Sequence, residues 1–381
     1  MRNIRIIAVL LTLLAVHLVS LAEAAEINVG ITLGMTGPTA SAGISYKSVL
    51  GNLPPTIAGQ PAKYAILDDG GDATVAVKNA RKLISENNID VLIGSSTVPG
   101  CLAVIDVATE NKVPQICMAP LTIPDAKRAW VFMAPAGPKL MISAVVDRMK
   151  ETGVKTVGYI GFSDGLGDIL LRALTDLAGE AGIKVVANER FNRPDTDVSA
   201  QVLRVIAANP DAVYVGAALS PAALPHITLV DNGYKGKIYH TDGIVGADFL
   251  RVGGPRVEGA IAPSGPFVVA ERLPNDFPSK AVAMKYAKEY DAANPGRRNG
   301  FAGMAYDTYI RIDTAAKTAL GKGRPGTVEF RQALRDALES AKEVVGTSGI
   351  YNTSPADHNG LDHRARVLVE VRSGKFELLK K

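Results

Sequence analysis

The chain has 381 residues, 47% hydrophobic, 21% charged and 6% aromatic, the makeup of a globular protein long enough for about two domains. Disordered, collagen-like and small disulfide-stapled chains are excluded. The 42 basic and 38 acidic side chains are spread along the sequence and leave a formal charge of only +4, too diffuse a field to hold a nucleic acid.

Arg2 and Arg5 precede an apolar run from Ile6 to Leu21, and Ala22-Glu23-Ala24 then places small residues where a signal peptidase reads. This predicts a secretory signal over residues 1–24 with cleavage after Ala24, because the run is shorter than the roughly 20 residues needed to span a bilayer. No later segment has the length and uniform apolarity of a membrane helix. Cys101 and Cys117 are the only thiols; after export they could close one loop or stay as two small buried hydrophobes, and spacing alone leaves both open.

From Ile27 the pattern alternates strand, turn and helix. Strand-like runs fall at 27–33, 64–67, 91–93, 113–118, 156–160, 183–186 and 212–215, and helical periodicity at 73–86, 166–181, 198–208 and 222–232. Asp72 stands where an N-cap belongs before the first of these helices. The strand runs are too uniformly apolar for a half-exposed antiparallel sheet and fit parallel strands buried on both faces. Beyond Pro263 the rhythm changes to helical patterns at 278–292, 303–320 and 328–340, and strand chemistry returns at 367–371 and 376–379 across Ser373-Gly374. The pattern predicts an α/β protein of two doubly wound lobes.

Several stretches, in one order from about Ile27 to the C-terminus, together resemble the leucine-binding family of periplasmic solute receptors for ABC transporters. They are residues 30–38 (GITLGMTGP), Asp68-Asp69-Gly70-Gly71-Asp72, Ile93-Gly94-Ser95-Ser96-Thr97, residues 158–164 (GYIGFSD), residues 221–225 (PAALP), residues 248–254 (DFLRVGG) and Tyr351-Asn352. The resemblance implies a type I periplasmic binding protein, with three hinge crossings near Ala136, Pro266 and Val345. Lobe 1 would comprise residues 25–136 and 266–345, and lobe 2 residues 137–265 and 346–381. It further implies a monomeric periplasmic receptor that holds an amino acid between its lobes and hands it to a membrane permease. No cofactor, metal or nucleic acid is expected.

Ser95, Ser96 and Thr97 follow a buried strand and open a helix. Hydroxyls and free N–H groups with a helix dipole behind them suit a carboxylate, although one hydroxyl could simply cap the helix. The resemblance favours the carboxylate and adds Leu121 and Thr122 from the next loop. It also assigns Asp242, in His240-Thr241-Asp242-Gly243, to the ligand's ammonium; a turn before Gly243 is the plainer alternative. Three aromatic positions of the family are absent: Leu166 and Ser220 stand where tyrosines are expected, and no aromatic stands near Ala42. A roomier or differently polar pocket, suited to small aromatic or other carboxylates, follows as the alternative.

Two motifs compete with this reading. Residues 161–165 (GFSDG) match G-x-S-x-G, with Asp242 and His358 or His363 following in hydrolase order, but no HGGG-type oxyanion segment precedes them. A secreted serine esterase is therefore the weaker alternative, and no enzymatic activity is expected. Residues 357–363 (DHNGLDH) carry metal-ligand side chains, but their glycine and asparagine describe a solvated turn more simply.

Overall fold

The computed structural model describes residues 25–121 and 123–379. Residues 1–24, where the secretory signal is read, lie outside them, as do Thr122 and residues 380 and 381.

The first half of the chain supplies β1 (Ile27–Leu33), α1 (Ala40–Leu50), β2 (Thr56–Ile57), β3 (Gln60–Asp68), α2 (Ala73–Asn87), β4 (Val91–Gly94), α3 (Val98–Glu110), β5 (Gln115–Cys117) and β6 (Val131–Met133). The sheet runs β2-β3-β1-β4-β5-β6 and is parallel throughout except for the short β2. β1 pairs on both edges and is covered on both faces, which is why its apolar run is almost unbroken. Asp72 caps α2 through its Oδ1, which accepts from the N–H groups of Thr74 at 2.7 Å and Val75 at 2.9 Å. The apolar face of α2, with Ala76, Ala80 and Leu83, packs on one side of the sheet together with Val104 and Val107 of α3.

The second sheet takes in α4 (Pro138–Glu151), β7 (Thr156–Phe162), α5 (Gly165–Glu180), β8 (Lys184–Phe191), α6 (Ser199–Ala207), β9 (Ala212–Gly216), α7 (Ala223–Asp231), β10 (Lys237–His240), α8 (Ala247–Gly253) and β11 (Ile261–Ser264). The chain then builds α9 (Lys280–Ala293), α10 (Gly300–Ala319) and α11 (Val328–Glu339) on the other face of the first sheet, beside α1. It forms the hairpin β12 (Val344–Val345) and β13 (Ile350–Tyr351), and it ends with β14 (Val367–Arg372) and β15 (Lys375–Leu378). These last two strands join the second sheet antiparallel, in the order β15-β14-β11-β10-β9-β7-β8. Its faces are covered by α4 and α5 on one side and by α6, α7 and α8 on the other.

The chain thus passes between the sheets after β6, after β11 and after β13. Two of these passages are fastened to α10: Arg311, buried, donates through Nη1 to the Met133 carbonyl at 2.6 Å and through Nη2 to the His358 carbonyl at 3.3 Å. Asp307, also buried, holds the turn of the β12–β13 hairpin by accepting from the N–H groups of Thr347 at 2.5 Å and Ser348 at 2.8 Å.

Residues 358–360 correct the expectation of a solvated turn over 357–363, of which only Asp357 and His363 are exposed. His358 and Asn359 are buried. The His358 ring stacks on Phe132 with centroids 4.4 Å apart, bonds the Val131 carbonyl at 2.8 Å through Nδ1 and meets Glu339 at 3.0 Å through Nε2. Asn359 donates to the Pro135 carbonyl at 2.6 Å. The segment is a plug between β6 and α11, its polarity spent on internal bonds. Cys101 and Cys117 are both free and buried; Cys101 donates to the Ser95 carbonyl at 3.0 Å, and Gln115 donates to the Cys117 sulfur at 3.2 Å.

Candidate ligand cleft

Loops at the carboxyl ends of the strands of both sheets face one another across a cavity of about 280 Å³. Open parallel sheets place their ligands there, because N–H groups and helix starts converge at those ends.

On the first sheet's side, α3 begins at Val98, with Thr97 as its cap: Thr97 Oγ1 accepts from the Gly100 N–H at 3.2 Å while the residue lines the cleft. Capping and ligand contact are therefore compatible roles of one hydroxyl. Ser96 Oγ accepts from the Gly34 N–H at 2.9 Å, so its own hydrogen is left to donate into the cavity. Thr39 adds a buried hydroxyl with no partner on the same wall. Gly43 lets α1 close over this loop, since a Cβ there would lie 2.1 Å from the Gly34 carbonyl oxygen. Tyr46 donates to the Met118 carbonyl at 2.9 Å and meets Phe301 edge-on at 5.4 Å. Both rings line the cavity, and Tyr46, one helical turn after Ala42 on α1, corrects the expectation that no aromatic stands near Ala42.

The second sheet's side carries the charge. Asp242 lies in a short turn after β10, half-buried, with no cation within ion-pairing reach among the described residues. Burial pushes its carboxyl up to about 6, against smaller opposing effects of its own N–H and that of Gly243. Tyr214 of β9 lines the cavity with a buried hydroxyl that has no partner. Burial first, then the neighbouring Tyr159 and Asp242, holds that hydroxyl well above its ordinary range. Asp164 caps α5, its Oδ1 accepting from the N–H groups of Leu166 at 3.0 Å and Gly167 at 3.2 Å. Its Oδ2 accepts from Arg193 Nε at 2.7 Å.

Of the residues singled out from sequence, Ser96, Thr97, Leu166 and Asp242 line one cavity. Ser95, Leu121 and Ser220 do not. Ser95 is fully buried behind the wall; Leu121 packs into an apolar cluster with Cys101, Ile105 and Val131, leaving Pro120 at the surface of the cleft; and Ser220 starts a short turn beyond Leu219, the residue that reaches the cavity. Thr122 lies outside the described residues. Ser163, the serine of the G-x-S-x-G motif, donates to Asn192 Oδ1 at 2.6 Å, while both ring nitrogens of His358 are taken by the Val131 carbonyl and Glu339. Among the described residues no group of three or more His, Cys, Asp or Glu side chains could hold a metal ion, and no helix is long and apolar enough to cross a membrane. Sequence reasoning missed Thr39, Tyr46, Arg193, Tyr214 and Phe301. Tyr214 had a signal, a hydroxyl inside the fully buried run 212–216; Arg193 had none, since it sits in a loop without a motif.

The periplasmic binding protein family matches residues 26–375. A Leu/Ile/Val-binding protein, BraC3 of Rhizobium johnstonii, is 25% identical over 347 residues, covering 87% of this chain and 90% of that protein. Among solved structures, an extracellular ligand-binding receptor of Rhodopseudomonas palustris HaA2 is 40% identical and superposes with a TM-score of 0.90 over 93% of this chain and all of that one. A solute binding protein of an ABC transporter from Rhodopseudomonas palustris BisB5, solved with 3,4-dihydroxybenzoic acid, shares the fold at a TM-score of 0.77 and 20% identity, over 93% of this chain and 96% of that one. With two sheet-centred lobes and a cavity between their strand ends, this chain belongs to the periplasmic binding proteins, a family of solute receptors rather than enzymes, found in the periplasm or outside the cell.

Proposed function

We propose that this chain is the receptor of an ABC transport system, capturing an α-amino acid in the cleft and presenting it to a membrane permease. The observation that carries this reading is Asp242, a carboxyl group in the cleft with no cation within ion-pairing reach among the described residues. Such a group is unfavourable in the empty site and finds its partner when a ligand ammonium arrives. The α-carboxylate would lie on Ser96, Thr97 and the start of α3, where neutral dipoles stabilise it. The two lobes, residues 25–136 with 266–345 and residues 137–265 with 346–381, would close about the three passages, and the receptor would work as an exported monomer.

A second reading, a small aromatic carboxylate, draws support from the unpartnered Tyr214 hydroxyl and from the apolar waist of Met118, Pro120, Met141, Leu170 and Phe301. There Asp242 would accept from a ring hydroxyl instead of an ammonium. Thermal unfolding of the mature chain against the common amino acids and a set of hydroxybenzoates tests both. A ligand at about 100 times its dissociation constant adds roughly 2.7 kcal/mol. Stabilisation by one class selects it, and a midpoint unmoved by every member of both sets overturns the proposal.

A further inference from the structure

Arg193 is the single cation lining the cavity among the described residues. It sits in the loop after β8, and three constraints fix its guanidinium. Nε donates to Asp164 Oδ2 at 2.7 Å, the plane covers the Phe162 ring at 4.1 Å, and Asp164 is itself held as the cap of α5. Its side chain is only 24% exposed. Neither Nη atom has a hydrogen-bond partner among the described residues. Asp164 is fully engaged, with one oxygen on the helix start and the other on Nε, so the outer edge of the fork remains for a ligand. A planar guanidinium whose rotamer is already fixed loses little entropy when it takes an oxyanion in two parallel bonds.

We infer that Arg193 is a specificity residue for a second oxyanion on the ligand, so that the cleft favours dicarboxylates over the matching monocarboxylates. The inference rests on the proposed carboxylate site at Ser96 and Thr97, which would hold one acidic group while Arg193, on the opposite lobe, takes the other. Asp242 lines the same cavity, and a ligand with an ammonium between two carboxylates would engage all three.

The test uses matched probes that differ only in the second acid: L-glutamate against L-glutamine, and benzene-1,4-dicarboxylate against benzoate. Calorimetry on the mature chain is expected to show at least tenfold tighter binding of the dicarboxylate in one pair or both. In Arg193→Gln the preference should vanish, the dicarboxylate weakening tenfold or more while its partner stays within about twofold. Arg193→Lys should restore only part of it, because a point charge lacks the fork. Unfolding midpoints of the ligand-free variants show whether α5 keeps its cap. Binding of glutamine and of benzoate each as tightly as its diacid overturns the inference and leaves the proposed carboxylate site standing; an equal loss for both members of the discriminated pair in Arg193→Gln also overturns it, as a merely structural role. Failure of all four probes to bind removes the inference and the carboxylate reading together.

Discussion

The two walls of the cleft are built from the same strand-turn-helix unit yet offer different chemistry. Among the described residues the wall on the first sheet carries no charged side chain: its polar groups include the hydroxyls of Thr39, Tyr46, Ser96 and Thr97, backbone N–H groups and the start of α3. The wall on the second sheet carries all three charges that line the cavity, Asp164, Arg193 and Asp242. Neutral dipoles can hold an anion while the cleft is open, since they need no counter-ion and screen little. Charges gain strength only when water is excluded. Under the proposed function a division of labour would follow, in which the first wall captures and the second wall selects as the lobes close.

The largest effect expected from breaking this asymmetry is at Asp242. For an α-amino-acid ligand, Asp242→Asn should weaken binding by two to four decades, from about 3–5 kcal/mol for an ammonium left without its partner. The same change should stabilise the empty protein. The carboxyl of Asp242 sits at about 6 in the fold, above roughly 3.9 in the unfolded chain, so its ionised form opposes folding above pH 6. Asp242→Asn should therefore add about 2–3 kcal/mol at pH 7, with the gain shrinking below pH 6 and gone below about pH 4. Calorimetry and denaturant unfolding measured together check both signs, and a variant that loses affinity and stability alike would mark Asp242 as structural.

Behind the same wall lies a pair with the opposite sign. His226 Nδ1 and His240 Nε2 are 2.8 Å apart and buried, and His240 Nδ1 has no partner. Burial pushes His226 down to about 4, and burial with the neighbouring His226 pushes His240 below its ordinary range. A histidine depressed in the fold contributes stability above its unfolded value of about 6.5 and loses it as pH falls toward the folded value. The stability difference between wild type and His226→Gln should shift by about 3 kcal/mol between pH 7 and pH 4, in the direction of the variant at acid pH. A difference independent of pH would show that His226 takes up its proton in the fold as readily as in the unfolded chain.

On the first wall the effects should be smaller. Ser96→Ala removes one donor and leaves the Gly34 N–H without its acceptor, while Thr97, Thr39 and the start of α3 still face the anion. A loss of about 1–2 kcal/mol, roughly tenfold in affinity, is expected by calorimetry. A loss as large as that at Asp242 would contradict the division between the walls.

What the sequence made legible follows the same physics. Strands such as β1 and helices such as α2 were readable because burial on two faces and helical amphipathicity write strong periods, and Asp72 was readable because a cap needs a particular side chain at one position; α1, α4, β6, β10 and β11 were not read. Ser96 and Thr97 could be picked out because they follow a buried strand and open a helix, and Asp242 through the family resemblance alone. Arg193 could not, since its place depends on Phe162 and Asp164, about thirty residues earlier, which only the fold brings together. His358 was misread for a related reason: a polar Asp-His-Asn-Gly run signals a turn, and nothing local says that Phe132, Val131 and Glu339 will enclose it.

The smallest effect tests the seam between the walls. Leu219 has φ 61° and ψ −160°, a conformation that glycine adopts freely and a leucine only under strain of order 1–3 kcal/mol. Its N–H donates to the Gly243 carbonyl at 2.9 Å, and its side chain leaves the second sheet to pack at the edge of the first sheet's core, where Phe301 also lies. Leu219→Gly relieves the strain and removes that packing, a half-buried side chain contributing about 1 kcal/mol. The two terms nearly cancel for unfolding, so the midpoint should move by only a degree or two. They do not cancel for closure, because the packing joins the lobes and the strain does not depend on their separation. The glycine variant should therefore keep its stability while the ligand-free chain shows a larger radius of gyration in solution scattering, and saturating ligand should bring it back to the wild-type value. A radius unchanged by the substitution would place Leu219 in the second lobe's own packing and leave Phe301 to carry the seam from the other side.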